Sequence, residues 1–340
     1  VKRHGNLWSK IISQENIEVA YSKAIKGKSR MRNVKKFNEN KERNLEKVRQ
    51  MLEQKTFTTS KYTEKTVYEP KQRIIYVLPF APDRIVQHAL MNVLEPIWNG
   101  LFIEDSYACR IGKGIHAGSK KTMKFVRRNK YCLKCDISKF YPSVNHEILF
   151  NIIKRKIKCQ DTLWLIENII RSFPSGKNVP IGNYTSQWFG NLYLNELDQY
   201  VKVKLQAKYV HIDYIRYCDD FCLFHDDKKV LNECATLIKD FLAEKLALKF
   251  SKCNLFPVSH GVDFLGYRHF NNYILLRKST TKRVRRRLEK LPKLLKKGLI
   301  TAEQYRSSVG STWGWLKHAN THNLMVALKY ENLLKEVKSI

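Results

Sequence analysis

Tyr214-Ile215-Arg216-Tyr217-Cys218-Asp219-Asp220-Phe221-Cys222-Leu223-Phe224 is the stretch around which the chain is organised. Two runs rich in aromatic and β-branched residues flank a pair of adjacent carboxylates. This pattern predicts two strands joined by a tight turn. Asp219 and Asp220 then stand at the tip of a hairpin. Two anions side by side repel each other unless something cationic is bound between them, and a divalent metal ion is the usual solution. An isolated Asp-Asp pair is more often a solvated turn, so a site here needs ligands from elsewhere in the chain.

Upstream, Tyr131-Cys132-Leu133-Lys134-Cys135-Asp136-Ile137 reads as a strand with a carboxylate at its end. A third carboxylate beside the hairpin lets a protein hold two divalent ions. Ser143 is the expected N-cap of the next helix, whose stripe includes Ile148, Ile152 and Ile153. Residues 174–187 form a glycine-containing loop that leads into a long helix at about 187–206, with free N–H groups facing open space. After the hairpin come a helix over Val230–Leu246, a strand over 248–256, and a strand with a turn over 262–267.

The flanking regions are basic. Residues 1–60 are mostly helical, with Lys23, Lys26, Lys28, Arg30, Arg32, Lys35 and Lys36 in one short stretch. Residues 66–80 read as strand, turn, strand, with Lys71 and Arg73 at the turn, where a cationic pair clamps a polyphosphate. An amphipathic helix spans 82–99. Arg110 and Lys113 lie beside Gly112 and Gly114, small residues that permit close approach of a backbone phosphate, ahead of a helix over Ile115–Arg128. Residues 277–298 carry eleven Lys or Arg against the single acid Glu289, with an apolar stripe of Leu288, Leu291, Leu294 and Leu295. This predicts a basic amphipathic helix broken or bent at Pro292.

The whole chain follows the same trend. Its 340 residues are 43% hydrophobic, enough for a sizeable core, and carry a formal charge of +32. So large an excess opposes compaction and is explained by a polyanionic partner: nucleic acid first, an anionic membrane surface second. No apolar run is long enough to span a bilayer, and the first residues lack the apolar core of a signal peptide. The eight cysteines are dispersed, which points to reduced thiols and a cytoplasmic location. Cys132 and Cys135 have zinc-like spacing, but an odd interval on a strand sends them to opposite faces.

Asp136 in Lys-Cys-Asp-Ile-Ser-Lys-Phe-Tyr and the pair in Tyr217-Cys218-Asp219-Asp220 resemble motifs A and C of reverse transcriptases. Arg84-Ile85-Val86-Gln87 and Asp105-Ser106-Tyr107-Ala108-Cys109-Arg110 resemble the fingers of the group II intron-like branch, and Phe264-Leu265-Gly266-Tyr267 resembles its primer grip. The likeness covers about residues 60–330, in order. It implies an α+β right-hand polymerase fold with fingers, a palm of antiparallel sheet plus helices, and a helical thumb. On that plan residues 1–130 are N-terminal extension and fingers, 131–270 palm with a helical insertion at about 150–180, and 271–340 thumb.

The family also implies chemistry. Asp136, Asp219 and Asp220, with the Ile137 carbonyl, are the expected ligands of two Mg²⁺ ions, Mn²⁺ being an alternative. Lys71 and Arg73 clamp the triphosphate of a dNTP, Phe140 and Tyr141 line the nucleotide site with Tyr141 as steric gate against a ribose hydroxyl, and Lys252, or else Lys249, protonates the leaving pyrophosphate. Arg84, Arg110, Lys113 and the triplet Arg285, Arg286 and Arg287 are the expected contacts to template RNA and to the RNA–DNA duplex.

One departure sets the subfamily. Most group II-like enzymes have Pro-Gln-Gly followed by Ser-Pro, whereas this chain has Val179-Pro180-Ile181-Gly182-Asn183-Tyr184-Thr185-Ser186-Gln187. This pattern, with Ile181, Gly182 and Gln187 at the nucleotide, resembles the reverse transcriptases of diversity-generating retroelements, as does Leu316-Lys317-His318-Ala319-Asn320. Those enzymes copy a template-repeat RNA with errors at adenines, for mutagenic retrohoming into a target gene. They work with a small basic helical partner, the accessory variability determinant, and are encoded by bacteria, archaea or phages. Retron enzymes carry Asn-Ala-x-x-His and Val-Thr-Gly motifs not found here, and a maturase extension has little room after residue 330. A catalytically silent nucleic-acid-binding protein is disfavoured by the presence of all three carboxylates.

Overall fold

The computed structural model describes residues 3–68 and 72–339. Four helices open the chain: α1 (Trp8–Ile12), α2 (Gln14–Ile25), α3 (Arg32–Asn38) and α4 (Lys41–Glu53). The Ser13 hydroxyl starts α2 by accepting from the Asn16 N–H at 3.2 Å. The helical spacing of Leu45, Val48 and Leu52 gives α4 its buried face. β1 (Thr63–Val67) and β2 (Arg73–Val77) follow as an antiparallel hairpin. Lys71 lies outside the described residues. A π-type turn over Phe80–Arg84 then feeds α5 (Ile85–Asn99), and α6 (Ile115–Arg128) leads to the central sheet.

That sheet begins with β3 (Tyr131–Ile137). The chain next runs through α7 (Phe140–Ser143), α8 (His146–Lys154), α9 (Gln160–Ile170), α10 (Tyr184–Tyr200) and α11 (Gln206–Lys208). It returns as β4 (Asp213–Tyr217) and β5 (Asp220–His225), then α12 (Lys228–Leu246) and β6 (Phe250–Pro257). The strands are antiparallel in the order β4-β5-β3-β6.

Side-chain alternation divides the sheet into two faces. Leu133, Cys135, Ile137, Tyr214, Phe221 and Leu223 enter a large apolar core that also takes in residues of α1, α5, α10 and α12. Cys132, Ile215, Cys222 and Phe224 enter a second cluster with Phe125 and Val126 of α6. Cys132 and Cys135 therefore sit in different cores, as their odd spacing requires, and among the described residues no cluster of three or more His, Cys, Asp or Glu forms a metal cage.

A small sheet of β7 (Val262–Phe264), β8 (Tyr267–His269) and β9 (Ile274–Leu276) links to the last helices: α13 (Lys278–Lys296), α14 (Ala302–Leu316), α15 (His322–Ala327) and α16 (Tyr330–Ser339). These share a core of their own around Val284, Leu288, Leu291, Tyr305 and Val309. Among the described residues no helix is long and apolar enough to cross a membrane.

Three local expectations are corrected. Ser143 ends the one-turn α7, and the cap of α8 is Asn145, whose extended backbone lets its side chain accept from the Ile148 N–H at 3.1 Å. The long helix starts at Tyr184 rather than about 187, because the Gln87 side-chain carbonyl accepts the Tyr184 N–H at 3.1 Å. That cap comes from a different helix and is invisible to local spacing. Of the break or bend expected at Pro292, the break does not occur: α13 runs on to Lys296, held by its buried stripe against α14.

Candidate active site

The hairpin forms as its residues predict. Tyr217 pairs with Asp220, leaving Cys218 and Asp219 as a two-residue loop. Such loops need positive φ, and Cys218 adopts φ +53°. Asp136 at the end of β3 is the direct register partner of Asp220 on one side and of Lys252 on the other. Directly opposed residues point to the same face, so the two carboxylates and the ammonium group share it. The Ser251 hydroxyl donates to the Asp136 carboxylate. Ile137 closes β3 with its side chain in the core. A cleft of about 540 Å³ opens in front, lined by Lys134, Asp136, Asp220, Lys252, Arg268 and Arg277 among others.

Electrostatics mark the carboxylates as costly. Burial pushes the Asp220 carboxyl up to about 6; Lys134 opposes the shift, and the Asp136 and Asp219 carboxylates add to it. Burial also raises Asp219, helped by Asp136 and opposed by Arg73 and Arg216. Arg73 on β2 thus lies within electrostatic reach of the Asp219 turn. A folded-state pKa above the unfolded value means that ionised Asp220 destabilises the fold. The cost is absent below about pH 4, grows as pH rises, and is complete above about pH 6. Asp220→Asn is therefore expected to stabilise the metal-free protein at pH 7.5 by on the order of 2 kcal/mol. Urea titrations at pH 7.5 and 4 check this: equal gains at both pH values would exclude a buried ionised carboxylate as the cause.

The turn is held from behind by residues that motif reading passed over. Arg216 is fully buried and forms an ion pair with the equally buried Asp198 at 2.5 Å. Its guanidinium also donates to Asn191 Oδ1 at 3.2 Å, to Ser106 Oγ at 3.3 Å and to the Cys218 carbonyl at 3.0 Å. The Tyr214 hydroxyl donates to Asp198 at 2.7 Å. Residues 105–107 lie along the β4 edge, with the Arg216 N–H on the Asp105 carbonyl and the Tyr107 N–H on the Arg216 carbonyl, both at 3.0 Å. The available signal was a lone Arg in an apolar strand and a lone Asp in the buried part of a helix, each requiring a partner.

On the far side of the carboxylates, the loop before α10 carries β2. The Tyr76 N–H donates to the Ile181 carbonyl at 2.8 Å. Gly182 has φ +116°, and a Cβ there would sit 2.5 Å from Ile75 Cγ2 and 2.9 Å from the Tyr76 carbonyl. The Ser186 hydroxyl and the Asn183 amide both donate to the Pro180 carbonyl, at 2.7 and 3.3 Å. Ile181 is half-buried and Gln187 exposed. Phe140 and Tyr141 lie against Gly190 of α10, where a Cβ would approach the two rings at 3.1 and 3.2 Å. Tyr141 is thus braced beside the turn, its hydroxyl pKa raised by burial and then by the neighbouring Cys218, Cys109 and Asp219.

The remaining basic residues divide into engaged and free. Arg110 donates to Asn99 Oδ1 at 2.8 Å and to the carbonyls of Ile103 and Ser106 at 2.6 and 2.8 Å, so its guanidinium knits its own loop. Lys113 is paired with Glu104 and lies over the Tyr107 ring at 5.1 Å. Arg84 is half-buried at the end of the π-type turn. Arg285, Arg286 and Arg287 are exposed on α13, with Arg287 reaching Ser311 Oγ at 3.4 Å.

The donor set suits a hard divalent cation. Three carboxylates meet at one sheet tip, and two of them are raised by burial and mutual repulsion. They do not close into a ready-made cage among the described residues. Carboxylates of this kind fit Mg²⁺, which usually takes one or two of them and completes its shell with water and substrate phosphates.

Residues 63–269 match the family model described as reverse transcriptase (RNA-dependent DNA polymerase). Protein YkfC of Escherichia coli strain K12 is 26% identical over 237 residues, covering 56% of this chain and 61% of that protein. The retron Ec73 reverse transcriptase of Escherichia coli is 25% identical over 264 residues, covering 72% and 76%. The group II intron-encoded protein LtrA of Lactococcus lactis subsp. cremoris is 21% identical over 183 residues, covering 52% and 30%. The chain therefore spans about three-fifths of YkfC and under a third of LtrA.

Proposed function

This chain belongs to the reverse transcriptase family, and we propose that it is an RNA-directed DNA polymerase that copies a template-repeat RNA into cDNA with errors at adenines. The observation that carries the polymerase reading is the register pairing of Asp136 with Asp220 beside Asp219, at the mouth of a basic cleft. Asp136 and Asp219, with Asp220 in support, would hold Mg²⁺, which would supply the positive charge needed to activate a primer 3′-hydroxyl and neutralise the triphosphate.

The chain's own residues do the rest. Arg73, within electrostatic reach of the turn, offers a bidentate contact to the triphosphate. Tyr141, braced on Gly190, walls the sugar side of the nucleotide. Lys252, opposite Asp136, carries the proton for the departing pyrophosphate. Arg285, Arg286 and Arg287 hold duplex phosphates without regard to sequence. A small basic helical protein, the accessory variability determinant, is the proposed partner.

The error-prone purpose rests on the resemblance at residues 179–187 and on the chemistry of one side chain. Ile181 stands at the loop that docks β2 through its backbone carbonyl, and its side chain offers no hydrogen bond where related enzymes have Gln. Losing a polar check narrows the gap between right and wrong pairs by about 1–2 kcal/mol. Ile181→Gln is expected to lower adenine misincorporation roughly tenfold, read by sequencing cDNA made with and without the partner. An unchanged adenine error rate would sink this account. A retron role is favoured by the match to the Ec73 enzyme over 72% of the chain. Accurate cDNA from the wild-type protein with its partner present would favour that reading instead.

A further inference from the structure

Six of the eight cysteines, at positions 109, 132, 135, 218, 222 and 253, lie on the central sheet, its catalytic turn or the loop beside it, and none has a role in the proposed chemistry. Cys109 touches Cys218, and Cys132 touches Cys222, but one pair is built into the strand register itself. Cys135 on β3 and Cys253 on β6 are direct register partners, with their sulfurs 3.2 Å apart. Both point to the core face, behind the carboxylates. Cys135 is fully buried, whereas Cys253 is half-buried on β6, the strand at the sheet's edge. The next ladder position pairs Asp136 with Lys252, and the β3–β6 register slips immediately beyond it, between Asp136 and Ile137.

We propose that Cys135 and Cys253 are a redox modification site, oxidised by peroxide to a cross-strand disulfide that ties β6 to β3 directly behind Asp136. Opposed residues of an antiparallel pair have Cα atoms about 4.5–5.5 Å apart, within the range a disulfide spans. The sulfurs need approach by only about 1 Å to reach bonding distance. Cys253, on the edge strand, meets the oxidant. Its thiolate attacks one peroxide oxygen, giving a sulfenic acid and, with one proton, water. The Cys135 sulfur then displaces the second oxygen, which leaves as water with the remaining proton. Two thiols and one hydrogen peroxide become one disulfide and two waters. Cys132 and Cys222 lie on the opposite face, in another core, and do not compete.

The link fixes the ladder one residue before the slip, so the strand can no longer adjust where Asp136 is carried. The effect on activity rests on the polymerase reading; the link itself does not. The test treats the full chain with hydrogen peroxide, quenches with catalase, alkylates free thiols, and maps non-reduced peptides by mass spectrometry. The expected product joins the peptides of Cys135 and Cys253 and disappears with dithiothreitol. In Cys135→Ala, Cys253 is expected instead to be trapped by dimedone as the sulfenic acid. Recovery of both residues as alkylated free thiols, or a link to other cysteines, would overturn the proposal. Primer extension by the oxidised protein should fall at least fivefold and return on reduction, with Cys253→Ser insensitive to the same dose. A complete link with undiminished extension would overturn the coupling to Asp136. If the reduced protein makes no cDNA, the polymerase reading fails while the peptide map still decides the link.

Discussion

Asp219→Ala is expected to reduce primer extension on an RNA template by about three orders of magnitude, roughly 4 kcal/mol of transition-state stabilisation. The size follows from its position. Asp219 occupies the second place of a two-residue hairpin loop, beside Asp220 and across from the strand end that carries Asp136. Among the described residues no other acid at the sheet tip is placed to substitute, because Asp136 and Asp220 are already ladder partners of one another. The same change should leave the fold intact or slightly stabilised. Burial raises the Asp219 carboxyl above its usual range, so its ionised form costs stability at neutral pH and removing it relieves that cost. Extension assays paired with thermal melts separate the two effects. A variant retaining more than about a tenth of wild-type extension would remove Asp219 from the catalytic set.

Arg216→Ala has the largest expected effect on stability. Its guanidinium and the Asp198 carboxylate are both fully buried at 2.5 Å, within a network that includes Tyr214, Asn191 and Ser106. Removing one partner strands the other charge in the core, which costs about 3–5 kcal/mol, a large share of the roughly 5–15 kcal/mol that holds a typical protein folded. Urea denaturation checks the figure, and a loss under about 1 kcal/mol would mean that the pair is not buried as described. Arg216→Met combined with Asp198→Leu removes both charges and is expected to recover most of the stability. It should not recover primer extension, because the Cys218 carbonyl, one peptide before Asp219, loses its donor. The two readouts together separate holding the core from holding the turn.

Several parts of this molecule were legible in its residues. Alternating apolar runs around Asp219-Asp220 gave the hairpin, and the strand expected at 131–137 is β3, with the same bounds. The helix at 115–128 is likewise recovered as α6. These elements are dictated by near neighbours: periodicity decides which face is buried, and burial fixes the element. The surplus of positive charge and the basic stripe of α13 are also properties of composition, not of contacts.

Other features depend on residues far apart in the chain. The start of α10 is fixed by Gln87, the cap of α8 lies two residues beyond the nearest plausible one, and α13 passes through Pro292 because α14 supports it. Arg216 reads locally as an ill-placed charge; only the fold brings Asp198, Asn191 and Ser106 to it. Cys135 and Cys253 are 118 positions apart and become neighbours only through the β3–β6 register. The sequence alone identified the three carboxylates and the hairpin that presents two of them, because side-chain alternation and turn chemistry act over a few residues. Tertiary structure alone decided that Asp136 faces Asp220 and that a buried cation steadies the turn between them, because register and burial are set by the packing of the whole sheet.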